Sequence, residues 1–141
     1  MRRAPVERVR NPRPRSIGAL VAGFAVVFVL STAMDGVMHA TGVFPPQGVA
    51  MSAGLWLLAT AYRVGFTVLG GYVTARLAPN NPVAHALALG IVGTVIALIA
   101  AVATMFLAPP DGSFGPLWYP WLLVVTALPS TWAGAKLIRS A

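Results

Sequence analysis

Apolar and polar positions divide the chain into four long apolar runs separated by short polar breaks. A helix that crosses a bilayer needs about 20 mostly apolar residues, and each run has that length. They cover about residues 17–39, 50–77, 83–107 and 117–137. The breaks "TGVFPPQG", "APNNP" and "APPDGSFGP" are rich in proline and glycine, which end helices, and in asparagine, which tolerates turn conformations. The expected fold is all-α: a four-transmembrane-helix bundle with short loops. Residues 17–141 would form a single membrane domain, and residues 1–16 a basic, proline-containing tail.

Composition strengthens this reading. Of the 141 residues, 57% are hydrophobic and 9% charged, with a mean hydropathy of +0.78, whereas soluble domains carry about 25% charged residues. A soluble chain of this length buries only about 70% of the surface its unfolded form exposes, which leaves too much apolar surface in water. Cysteine is absent, which excludes disulfides, a thiol nucleophile and thiolate metal sites. All but one of the ten basic residues are arginine, a codon bias that points to a GC-rich bacterial genome.

Charge placement sets an orientation. The tail "MRRAPVERVRNPRPR" holds six arginines and one glutamate; Arg76 flanks the second connection, and Lys136 and Arg139 end the fourth run. The first and third connections carry neither Lys nor Arg. The positive-inside rule therefore predicts a multi-pass protein of the bacterial cytoplasmic membrane with both termini in the cytoplasm. Phe44, Trp118, Tyr119 and Trp121 would form the aromatic belt at the outer surface. A signal peptide cleaved after Ala33 would also begin with a basic tail, but the apolar run continues well past that residue. The tail is expected to meet anionic lipid headgroups, at about 1 kcal/mol per basic residue. It has no aromatic residue to stack on a base, so nucleic acid is not an expected partner.

Small residues recur at four-residue spacing, which lets membrane helices approach closely. Gly18 and Ala22, Ala19 and Gly23, and Ala61 and Gly65 are such pairs, and Ser130 and Gly134 another. The strongest cluster is "GGYVTARLA", and Gly70, Gly71, Ala75, Gly90 and Gly93 are the expected helix-packing positions.

Ionisable residues inside the runs are the candidates for function, because each costs several kcal/mol in lipid and faces protein or water. Arg63 lies near mid-membrane, with Asp35 nearer the outer end of the first run. At about 1.5 Å per residue their backbones differ in depth by roughly 11–14 Å, more than the 6–7 Å or so of an arginine side chain. An Asp35–Arg63 pair would be stretched, and the mismatch slightly favours the other candidate partners: the hydroxyls of Thr94, Thr126 and Ser130, and the Val125 carbonyl, which Pro129 deprives of its helical partner. Asp35 and His39, four apart, share a helical face that Ser31 and Thr32 continue. Two such groups are too few for a metal, and no HExxH pattern occurs. They read as an interfacial polar cap or a proton-holding pair.

The stretch from Gly70 to Gly93, "GGYVTARLAPNNPVAHALALGIVG", resembles a pattern in small bacterial four-helix membrane proteins of uncharacterised function. Gly70, Gly71, Ala75, His85, Ala86, Gly90 and Gly93 carry the likeness, over about a sixth of the chain. The resemblance implies the four-span fold and no known activity. Small multidrug transporters also place an acid in their first span, but near its middle, unlike Asp35. No nucleophile–base constellation is visible, and no cofactor is expected. The leading expectation is a non-enzymatic scaffold or accessory subunit acting through helix packing, with a second copy or another membrane protein as partner. The alternative is a small homo-oligomeric transporter or channel with a polar midplane site around Arg63.

Overall fold

The computed structural model describes residues 12–140 and is a bundle of four α-helices: α1 Arg13–Ala40, α2 Ala53–Leu77, α3 Pro82–Leu107 and α4 Trp118–Ser140. All four are long and apolar enough to cross a membrane, so the chain is a multi-pass membrane protein. Residues 1–11, which hold Glu7 and four of the tail arginines, lie outside the described residues, as do Ala141 and the side chains of Arg139 and Ser140. The expected headgroup contacts of the tail fall mostly there. Short connections send the helices up and down in turn, so residues 13 and 140 share one end of the bundle, here the terminal end.

The helix boundaries follow local chemistry. α1 begins four residues before the first apolar run, inside the segment read as tail. Pro12 and Pro14 stand at its start, where a missing N–H costs nothing because the first-turn donors have no intrahelical acceptor. α2 begins at Ala53, three residues later than the apolar run. α3 begins after Asn81, which adopts φ 38° and accepts a hydrogen bond from the Ala84 N–H at 3.3 Å. Pro82 follows at the first helical position. Asp111, in the third connection, accepts the Ser113 N–H at 2.9 Å, and hydrogen bonding to Ser113 holds its carboxyl below the usual range.

Small residues, not large ones, fill the interior. The buried apolar side chains are Ala19, Ala59, Ala75, Ala86, Ala101, Ala127 and Ala135 with Phe44 and Leu89, beside a group of hydroxyls, while Ile99 and Phe106 face outward with most of the other large side chains. This suits a bilayer, where apolar exposure to lipid costs nothing and close backbone approach is what holds helices together. α2 touches all three other helices, and α4 packs on α2 and α3, whereas α1 meets α2 broadly, α3 sparsely and α4 not at all among the described residues. At the α1–α2 crossing a Cβ on Gly23 would stand 2.8 Å from the Gly70 carbonyl oxygen. At the α2–α4 crossing a Cβ on Gly71 would stand 2.6 Å from the Thr131 Cα, and one on Gly134 2.6 Å from the Tyr72 nitrogen. A Cβ on Gly90 would press on Leu128 at 3.2 Å to its Cα.

Gly70, Gly71, Ala75 and Gly90 are thus packed as expected. Gly93 is different: the nearest atom to its would-be Cβ is the Ala127 Cβ at 3.8 Å. Gly18 and Gly65 have nothing within 4 Å, so their small-residue spacing marks no contact within the bundle.

Candidate intramembrane polar site

The α1–α2 crossing fixes where the ionisable residues meet. α1 and α2 run antiparallel, with Gly23 against Gly70. Asp35 lies twelve residues beyond Gly23 and Arg63 seven residues before Gly70, so both are displaced toward the far end, by about 18 and 10.5 Å. The remaining offset of about 7.5 Å is closed by side-chain direction. Side chains on a helix lean toward its N-terminus. Arg63 on α2 therefore leans toward the far end and Asp35 on α1 toward the terminal end, each toward the other.

The result is an ion pair between Arg63 Nη2 and Asp35 Oδ2, and the Tyr62 hydroxyl donates to Asp35 Oδ1. Both charged side chains are about one-third exposed, at 31% and 32%. Tyr119, at the start of α4, lies close enough to interact with Arg63 and Asp35, and its ring packs against Trp56 at a tilt of 53° with centroids 4.6 Å apart. Residues of α1, α2 and α4 thereby converge in the half of the bundle nearer the far end. Arg63 Nε is buried and makes no hydrogen bond.

The remaining candidates from the sequence are placed elsewhere. The hydroxyls expected to hold Arg63 return instead to carbonyls of their own helices: Thr94 to Gly90 and Thr126 to Leu122, each at 2.8 Å, and Ser130 to Thr126 at 2.6 Å. Such back-bonding satisfies each hydroxyl within its own helix, and among the described residues the guanidinium pairs with Asp35. The slight preference for the hydroxyls and the Val125 carbonyl over a stretched Asp35–Arg63 pair is therefore corrected. It counted residues from helix ends and ignored side-chain lean.

His39 does not join Asp35. Its Nδ1 lies 2.8 Å from the Pro45 carbonyl oxygen, so Nδ1 carries a proton and donates it, and its ring meets the buried Phe44 edge-on at 5.5 Å. The imidazole pins the first connection to the end of α1. His85 faces the Asn81 carbonyl at 3.2 Å and belongs to the start of α3. No cluster of three or more His, Asp or Glu able to hold a metal occurs among the described residues. Tyr62, Tyr119 and Trp56 were missed by sequence reasoning as site residues. The signal was present for Tyr62, since a tyrosine hydroxyl inside a span needs a partner and Asp35 is one of few acceptors.

A cavity of 320 Å³ lies where α1 stands off from α3. Phe28, Thr32, Arg63, Gly93, Ala97 and Leu123 are among its walls. The site thus places a neutralised ion pair beside a mainly apolar slot. Compared with known protein families, curated proteins and solved structures, the chain matches none.

Proposed function

We propose that this protein is a non-enzymatic membrane protein that works through its helices, as a scaffold or accessory subunit in the cytoplasmic membrane of a bacterium, with both termini in the cytoplasm. The observation that carries the reading is the Asp35–Arg63 pair. The two charges inside the spans neutralise each other and join α1 to α2, the use expected of a structural tie. Ion-coordinating residues would instead present uncompensated charge to an aqueous path. The orientation rests on the excess of Arg and Lys at the terminal end.

The alternative, a small homo-oligomeric transporter or channel, draws support from the slot beside Arg63. Its walls are mainly apolar, which suits a hydrated ion poorly. Flux separates the two readings. The protein is reconstituted in vesicles, and proton, potassium and chloride flux are followed with entrapped dyes. The scaffold reading expects rates equal to those of protein-free vesicles. Flux that depends on protein and disappears in Arg63→Leu would replace it with the transporter reading.

A further inference from the structure

Hydroxyls in these helices follow one habit. Ser16, Thr60, Thr67, Thr94, Thr104, Thr126, Ser130 and Thr131 all donate to a carbonyl of their own helix. Ser31, Thr32 and Thr74 depart from it and make no hydrogen bond among the described residues. Thr74 is wholly buried at the Gly23 crossing. Ser31 and Thr32 both line the slot between α1 and α3. A polar group inside a span is costly unless it is bonded, and here two adjacent hydroxyls with their own carbonyls within reach leave them unused. Arg63 of α2 lines the same slot; one of its N–H groups binds Asp35, and its Nε is buried.

The slot's α3 wall runs from Leu89 to Ala100, about 16 Å at the helical rise. Its walls are mainly apolar over that length, which suits a hydrocarbon chain. The volume is at the small end of ligand pockets. Charge narrows the occupant further. Asp35 already balances Arg63, so an anionic ligand would leave a net charge within the membrane, whereas a neutral acceptor would not. The glycerol esters of bilayer lipids lie near the surfaces and do not reach this depth.

We propose that the slot between α1 and α3 binds a neutral, lipid-soluble molecule consisting of a hydrocarbon chain with a carbonyl group along it. The Ser31 and Thr32 hydroxyls serve as donors to that oxygen. The site goes beyond the scaffold reading and stands or falls separately from ion flux.

The probe is dihexyl ketone with a heavy-carbon carbonyl, followed by infrared spectroscopy in vesicles containing the full protein. A carbonyl in hydrocarbon absorbs at higher frequency than one accepting hydrogen bonds. The expected result is a shifted band that saturates at one ketone per protein and is absent from protein-free vesicles. Replacing both donors, Ser31→Ala with Thr32→Val, weakens binding about fivefold to tenfold, as loss of one or two hydrogen bonds does. Gly93→Leu abolishes it, because Gly93 has room for a side chain that then enters the slot. Ala97→Leu repeats the block from the next turn of α3, and the unfolding transition of every variant is checked in the same vesicles. Three results each overturn the proposal: no saturable shifted band, a band that persists in folded Gly93→Leu and Ala97→Leu, or displacement of the ketone by an alkane of equal length as readily as by unlabelled ketone.

Discussion

Arg63→Leu is the most informative substitution in this protein. It removes the cation paired with Asp35 and leaves the carboxylate, among the described residues, with the Tyr62 hydroxyl as its hydrogen-bond partner. The structure places the pair between two regimes. Exposed ion pairs contribute about 0–1 kcal/mol, whereas removing one partner of a buried pair costs about 3–5 kcal/mol. With both side chains about one-third exposed, the pair falls between these regimes and a loss of about 2–3 kcal/mol is expected. Asp35→Asn should cost a similar amount by stranding the guanidinium. The double variant has neither orphaned charge. It should lose about as much as one single variant, giving a coupling of about 2 kcal/mol. The assay is reversible unfolding of the four proteins in mixed micelles titrated with a denaturing detergent, followed by helical circular dichroism. If the double variant loses the sum of the single losses to within about 0.5 kcal/mol, the charges are not coupled. The tie between α1 and α2 would then have to be assigned to the glycine crossing alone.

The glycines give a second test within one experiment. Gly71→Ala and Gly134→Ala would press a Cβ into the backbone of the facing helix and should each cost about 1–3 kcal/mol. Gly65→Ala, in the same helix with nothing within 4 Å, should leave the midpoint unchanged or slightly raised, and equal midpoints for all three would refute the α2–α4 register. Asn81→Ala removes the bond to the Ala84 N–H and leaves alanine at φ 38°. It should destabilise by about 1–2 kcal/mol, whereas Asn81→Gly, free of that strain, should lose only a few tenths. A protein in which Asn81→Ala and Asn81→Gly unfold at the same midpoint would show that the left-handed cap carries no strain.

Some of this was written in the chain one residue at a time, and some was not. The number of spans, the breaks between them and the excess of positive charge at one end depend on local composition, since transfer into lipid is a nearly additive property of a segment. The packing of Gly70, Gly71 and Gly90 was legible for a similar reason: a run of small residues has few uses inside a membrane beyond close approach. The same reasoning failed at Gly18 and Gly65, where the spacing is present but the helix face looks outward. Which face turns inward was decided by the partners, because apolar side chains are equally content in lipid.

The polar site shows the division most clearly. The sequence supplied Arg63 and Asp35 and the expectation that neither would remain alone. Their pairing depended on the Gly23–Gly70 crossing, which sets the relative height of α1 and α2, and on the opposite lean of side chains on antiparallel helices. Tyr119 joined them only because α4 packs beside α2. The slot appears in no segment at all. It exists because α1 meets α2 but stands away from α3, and a gap between helices belongs to their arrangement, not to any one stretch of residues.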